Sequence, residues 1–326
     1  MKKKVLVIGA TGAQGLPTVK NLLKAGFMVR GFTLDYDPRI IELENMGVEM
    51  FRGSLFDENS VYAAMKGINI VVFISVLPTA NDPVPEITIG KNVIFAAEKA
   101  GIEYMIHTSV DRAGDQEHFK RWGYDFWTSL RMYWIGKSTV INLIKASHIR
   151  HWTILKPAYM MDCFIPPKAI GMYPQMKDGK LVSARLPETK LTMMNCDDIG
   201  MVVADACREF DKYEHKEIPL AGDALTMDEI ADTISKVTGR RVEALSKTRE
   251  ELLADKELVV SLQKMFGGND ETLSTNGNIL STSIDTNEWE NMDGYTADIA
   301  YANSFGVKLS TFKEWCERHK GEFVFD

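Results

Sequence analysis

The stretch Lys4-Val5-Leu6-Val7-Ile8-Gly9-Ala10-Thr11-Gly12-Ala13-Gln14-Gly15 decides the fold. Its aliphatic run reads as a strand buried on both faces. The run stops at a glycine, well short of the roughly 7–15 apolar residues of a signal-peptide core. Glycines at every third position then lead into a helix. They let the backbone turn tightly, approach a pyrophosphate and pack the helix on the strand. The start of the helix offers free N–H groups and the positive end of its dipole. A glycine pattern alone is an ordinary turn. A strand before it and a helix after it make a dinucleotide cradle of Gly9, Thr11, Gly12, Ala13, Gln14 and Gly15.

The same alternation continues outward. Strands are expected at Lys4–Ile8, Met28–Thr33, Glu49–Arg52, Ile70–Ser75, Tyr104–Thr108 and Trp152–Leu155, with helices near 14–24, 37–46, 58–66, 86–100 and 129–146. This predicts an α/β fold, a doubly wound parallel Rossmann sheet, with a smaller C-terminal α+β substrate domain. The dinucleotide domain is expected over residues 1–157, with 190–212 returning to it, and the cap over 158–326. Gly90, on the inner face of the fourth helix, is expected to let that helix approach the sheet. Thr226 with Glu229, and Thr311 with Glu314, have the spacing of capping boxes. The polar segment 267–294 reads as a loop or flap.

Composition narrows the function without naming it. The 326 residues are 45% hydrophobic and 25% charged, ordinary values that exclude disordered and collagen-like chains. A net charge of −7 argues against a nucleic-acid partner. No apolar run is long enough to span a membrane. Cys163, Cys196, Cys207 and Cys316 form no CxxC pair, which gives no metal site and fits a reducing cytoplasm. The expected partner is a small molecule, and the chain is a monomer or homodimer.

Cofactor choice is read at the end of the second strand, Arg30-Gly31-Phe32-Thr33-Leu34-Asp35. An acid there accepts hydrogen bonds from the ribose hydroxyls and repels a 2′-phosphate, so Asp35 favours NAD(H) over NADP(H). Tyr133 and Lys137 lie four residues apart on one helical face. A lysine beside the nicotinamide can hold the ribose and lower the pKa of a neighbouring phenol. Ser109, just past the fifth strand, stands at the ligand-binding end of the sheet, so Lys137, Tyr133 and Ser109 are the catalytic candidates.

These residues resemble the NmrA-like family of atypical short-chain dehydrogenases, which includes isoflavone reductase-like enzymes and redox-sensing regulators. The resemblance spans nearly the whole chain. It rests on the glycine loop, Gly53-Ser54-Leu55-Phe56-Asp57, Gly90-Lys91-Asn92-Val93-Ile94, Lys137, Thr153-Ile154-Leu155-Lys156-Pro157, Asp197-Asp198-Ile199-Gly200 and Leu220-Ala221-Gly222-Asp223. It implies that Lys137 is the catalytic or ring-contacting residue. It also implies that Ser54, Leu55, Ser75, Val76, Pro157 and Tyr159 border the cofactor, and that Tyr159, Met160 and Asp162 line the substrate cleft. Leu34 stands where the family carries an NADP-binding arginine, which again favours NAD(H). Ser54 replaces an aspartate that flanks the adenine.

Seven aromatics and a histidine crowd between His118 and Trp134. Hung over the nicotinamide, His118, Trp122, Phe126 and Trp127 would suit a flat aromatic substrate; a small satellite core is the alternative. The resulting expectation is an NADH-dependent reductase of a hydrophobic aromatic or phenolic compound. The alternative is a non-catalytic redox sensor that acts through a protein partner. A sugar-nucleotide epimerase shares the fold but needs a basic diphosphate site that is not found in the sequence.

Overall fold

A computed structural model describes residues 3–33, 37–74, 83–123, 125–256, 258, 260 and 279–325. The dinucleotide-binding half alternates β1 (Lys4–Ile8), α1 (Gly15–Lys24), β2 (Met28–Thr33), α2 (Arg39–Asn45), β3 (Glu49–Arg52), α3 (Glu58–Met65), β4 (Ile70–Ile74), α4 (Val84–Ala100), β5 (Tyr104–Thr108), α5 (Thr128–Ala146) and β6 (His151–Pro157). There follow β7 (Tyr159–Met160), α6 (Lys168–Met172), β8 (Lys180–Ser183), β9 (Lys190–Met194), α7 (Cys196–Arg208), α8 (Phe210–Tyr213), β10 (Lys216–Leu220) and β11 (Asp223–Thr226). The chain closes with α9 (Met227–Thr238), β12 (Glu243–Ser246), α10 (Arg249–Leu253), α11 (Ile279–Met292), α12 (Ile299–Asn303) and α13 (Phe312–Arg318).

The main sheet has seven parallel strands in the order β10-β6-β5-β4-β1-β2-β3. The order reverses beside β1, which pairs with β2 on one side and β4 on the other. In open sheets of this kind the ligand crevice lies at that reversal, outside the carboxyl ends of the strands. Strand β1 serves both faces by simple alternation. Val5 and Val7 pack with Val19 and Leu22 of α1 and Ile199 and Val203 of α7. Leu6 and Ile8 pack with Val61 of α3, Val93 of α4 and Val140 of α5. Each such fully buried side chain contributes about 1.5–3 kcal/mol.

The cap carries a three-stranded sheet, β11-β9-β7, and a two-stranded one, β12-β8. Its core gathers Phe164, Ile230, Ile234, Phe312 and Trp315. Both predicted capping boxes form, at Thr226–Glu229 and Thr311–Glu314. Among the described residues no helix is long and apolar enough to cross a membrane, and no cluster of metal ligands occurs.

The structure differs from expectation in four places. Strand β6 is longer, because Lys156 and Pro157 still pair with β10. Of the segment 190–212, α7 packs closely on α1: a side chain at Gly200 would come within 2.7 Å of the Pro17 backbone. Strand β9 instead joins the cap sheet, and β10 supplies the added strand of the main sheet. Gly90 faces helix α5 rather than the sheet: a Cβ there would meet Val140 Cγ2 at 2.8 Å. Residues 279–292 form helix α11, not a flap. Several of its polar side chains are buried and bonded to neighbouring segments. Asn287 accepts from Ala184 N at 3.1 Å, Asn291 from Leu186 N at 2.9 Å, and Asp285 and Glu288 hold Arg249.

Long-range clips join the two halves. The Asp111 carboxylate accepts from Thr296 N (2.6 Å) and Ala297 N (2.9 Å), and Arg112 donates to the Gly294 carbonyl at 3.0 Å. Arg112 holds a left-handed backbone, φ +69°, a conformation that costs a non-glycine residue about 1–3 kcal/mol. Asp198 likewise binds the backbone and hydroxyl of Ser310.

Candidate active site

The site begins at the glycine loop. Gly9 has φ +85°, and Gly12 N donates to the Gly9 carbonyl at 3.0 Å, closing the turn. A Cβ on Gly15 would lie 1.9 Å from the Gly9 carbonyl oxygen and 2.8 Å from Ala10 Cα, so no side chain fits. Helix α1 then starts without a side-chain cap, although Gln14 occupies the capping position. The buried Gln14 Oε1 has no hydrogen-bond partner among the described residues. An uncapped helix start under a closed glycine turn fits a pyrophosphate. Thr11 reaches across to Asp37, whose carboxyl is held down at about 2, chiefly by hydrogen bonds from Arg39. Arg39 Nη2 lies 2.6 Å from Asp37 Oδ2.

Around this loop the family motifs are mostly packing devices. Ser54 N donates to Ser60 Oγ (3.1 Å), and Ser54 Oγ accepts from Phe56 N (3.2 Å). Leu55 is buried, and its carbonyl accepts from Asn92 of α4 at 2.9 Å. Pro157 is buried at the end of β6 and binds the backbone of Asp111. Leu34, Asp35, Ser75 and Val76, four expected cofactor contacts, lie outside the described residues.

The catalytic candidates lie in α5, where Tyr133 and Lys137 occupy its middle turns, and just past the end of β5, where Ser109 stands. Lys137 is 4% exposed, and its ammonium lies 2.7 Å from Glu86 Oε1 of α4, itself 2% exposed. Burial pulls the Lys137 pKa below its ordinary range, and Glu86 opposes that pull. The ammonium stands 5.3 Å from the centre of the Tyr133 ring, so the predicted shared face exists. The sequence led to the expectation of a more acidic phenol; instead burial pushes the Tyr133 pKa upward, and the Glu86 charge adds to that. Ser109 is 7% exposed, and its hydroxyl has no hydrogen-bond partner among the described residues.

Two participants escape a sequence reading. His107 is fully buried in β5, donates through Nδ1 to the Phe73 carbonyl at 3.0 Å, and is pushed by burial to about 3. It faces Lys137 as a neutral imidazole. Glu86 shares the helical stripe of Gly90, Val93 and Ala97. An acid in phase with a buried face needs a partner, and that was its available signal.

The aromatic stretch is largely a packed cluster. Phe126 and Phe119 stack at 5.9 Å, Phe119 meets Trp134 at 5.1 Å, and Trp134 meets Trp289 of α11 at 5.0 Å. Phe126 is 5% exposed inside this cluster, which places it with the core rather than a cleft. Trp122 and Trp127 are half-buried, under the guanidinium groups of Arg131 and Arg121. His118 is exposed and contacts only Asp115 among the described residues, at 2.9 Å. In the cap, Tyr159 donates or accepts a 3.0 Å hydrogen bond with Tyr173, and Met160 Sδ lies 3.7 Å from Cys196 Sγ. Asp162 is half-buried in the following 3-10 turn.

This architecture has relatives. The sequence profile described as the NmrA-like family matches residues 1–301. The chain belongs to the NmrA-like family. An NmrA-like family domain-containing protein of Dictyostelium discoideum is 23% identical over 98% of both chains. An NmrA-like family domain-containing oxidoreductase of Aspergillus sp. (strain MF297-2) is 24% identical over 99% of this chain and 98% of its own. Among solved structures, the Citrobacter sp. triphenylmethane reductase complexed with NADP(H) superposes with a TM-score of 0.76 at 19% identity, covering 97% of this chain and 99% of its own. NmrA, a negative transcriptional regulator in complex with NADP, gives 0.68 at 18% identity, covering 97% and 94%. At these identities the structures establish the NmrA-like fold, not the chemistry.

Proposed function

We propose that this NmrA-like protein is an NAD(P)H-dependent oxidoreductase that reduces a hydrophobic aromatic or phenolic small molecule, such as an enone, a quinone, a flavonoid-like compound or a benzylic ether. The observation that carries this reading is the buried Lys137 ammonium in the middle of α5, held by Glu86 of α4. The bound dinucleotide supplies hydride. The chain does the rest: the loop from Gly9 to Gly15 binds the pyrophosphate, and burial excludes water from Lys137. The Lys137 ammonium Nζ gives a proton to the substrate oxygen or stabilises its developing charge. Relatives named as oxidoreductases support the class.

NADH is the proposed preference. Asp37 stays ionised beside Thr11, and Arg39 is already bound to it. Arg30 is held by Glu49 and the Ala64 carbonyl, so neither arginine offers an uncommitted cation to a 2′-phosphate. A cytoplasmic setting fits four buried cysteines, none in a disulfide. A second reading, a dinucleotide-responsive regulator, is favoured by one fact: the Lys137 ammonium is already paired and covered.

The test is to mix purified protein with NADH or NADPH and a panel of enones, quinones and flavonoids, and follow cofactor absorbance. Turnover that falls about 10²–10⁴-fold in Lys137→Met, with dinucleotide binding intact, is expected. Tight dinucleotide binding without turnover of any substrate would overturn the enzyme in favour of the regulator. A lower Kd for NADPH than for NADH would overturn the cofactor preference.

A further inference from the structure

We propose that Glu86 is the positioning residue of this site: seated in the gap left by Gly136, its carboxylate aims the Lys137 side chain and keeps it an ammonium. The inference rests on the reductase reading and deepens it.

A carboxylate on the buried stripe of α4 costs several kcal/mol unless it is paired. The chain provides both the partner and the room. Lys137 Nζ lies 2.7 Å from Glu86 Oε1. On the same turn of α5, a Cβ at Gly136 would stand 2.8 Å from Glu86 Oε2. One turn further along α4, Gly90 admits Val140 of α5. Two glycines, one on each helix, thus bring the backbones together where the ion pair forms. A side chain at position 136 would push the carboxylate off its seat.

Among the described residues, three titratable groups interact with Lys137 from the elements around it. Tyr133, on its own helix, is kept a neutral phenol by burial. His107, from β5, is kept a neutral imidazole by burial. Glu86, from α4, is the one of the three that carries a charge opposite to the ammonium. Burial alone drives a lysine toward the neutral amine, which has no proton to give. The carboxylate opposes this, so Lys137 is held charged while remaining more acidic than a lysine in water. A general acid works best in that intermediate range.

The experiment titrates Lys137 Nζ in the full chain by ¹⁵N NMR of lysine-labelled protein, with Lys137→Met to assign the signal. Wild type is compared with Glu86→Gln, Glu86→Asp and Gly136→Ala, and the pH profile of kcat/KM is recorded beside it. In Glu86→Gln the Lys137 titration should fall by about one pH unit or more, because the carboxylate no longer opposes burial. The alkaline limb of kcat/KM should move down with it, while the dinucleotide Kd stays within about twofold, the range of a change that leaves the cradle untouched. Glu86→Asp should restore most of the shift, and Gly136→Ala, which only displaces the carboxylate, should give a smaller shift in the same direction. If Glu86→Gln does not fold, Gly136→Ala carries the test. Lys137 titrating at its wild-type pH in folded Glu86→Gln, or in Gly136→Ala, overturns the proposal. Absence of turnover in wild type overturns the reductase reading instead, and the NMR titration still decides the role of Glu86.

Discussion

Two buried ion pairs of equal length sit in the two halves of this chain. Lys137 meets Glu86 at 2.7 Å in the dinucleotide half, and Arg185 meets Glu290 at 2.7 Å in the cap. Both are nearly free of solvent. They differ in what surrounds them. The cap pair is walled in: Arg185 donates to the Tyr173 hydroxyl at 3.1 Å and stacks over the Tyr159 ring at 5.2 Å. Asn287 donates to Glu290 at 3.5 Å. Burial works against the Arg185 charge, yet Glu290 outweighs it and the guanidinium ends well above its ordinary range. For Lys137 burial prevails. The Arg185 proton is held more tightly than that of an arginine in water, the Lys137 proton less tightly than that of a lysine in water. On the proposed function, that difference, not the depth of the charge, separates a structural pair from a proton donor.

The largest test of that contrast is Arg185→Met, which leaves Glu290 buried and alone. It should cost about 3–5 kcal/mol in chemical denaturation. Adding Glu290→Met should recover most of the loss, as expected of a structural pair that apolar packing can replace. A single variant that kept full stability but lost turnover would move the chemistry to the cap and break the comparison.

Gly90→Ala should be milder. Its Cβ presses on Val140 Cγ2 at 2.8 Å, and overpacking of this kind costs about 1–3 kcal/mol. Thermal melting reads the cost. If α4 and α5 part slightly, the alkaline limb of turnover should shift down as well, whereas Arg185→Met should leave the limb in place.

The smallest expected effect is on stability against pH. The Lys137 pKa is lowered in the folded chain, while the unfolded lysine titrates near 10.5. Between those values the unfolded chain binds more protons, so stability rises with pH across that window. The increment should be present in wild type and absent from Glu86→Gln/Lys137→Met, which removes both charges. Arg185 contributes no such slope in the accessible range. A wild-type slope matching that of the double variant would show that Lys137 does not titrate there.

How much of this could be read from the chain depends on whether each residue's partner is local. The strands of the main sheet carry continuous apolar runs, and the capping boxes close within three residues, so both are legible. Lys137 and Tyr133 share a face through the helical repeat alone. Glu86 does not declare itself, because its partner is 51 residues away on another helix. Helix α11 is hidden for a related reason. Its Asn, Asp and Glu side chains look solvated in sequence, yet they bond to the segment after β8 and to Arg249, more than 30 residues off. The aromatic stretch left two readings open, and Trp289, far along the chain, gathers Phe119 and Trp134 into the satellite core. Asp35, on which the cofactor reading first rested, is outside the described residues, and Asp37 now bears that reading.

The clips from Asp111 to Thr296 and from Asp198 to Ser310 have a consequence for synthesis. A ribosome delivers the glycine loop long before these supports. Until residue 296 emerges, the Asp111 carboxylate lacks two of its donors and the left-handed Arg112 lacks the carbonyls that hold it. The half that carries the glycine loop therefore completes itself only after residues 294–297 have been made. A stop codon placed before position 296 removes a fastening of the first domain, not merely the last one.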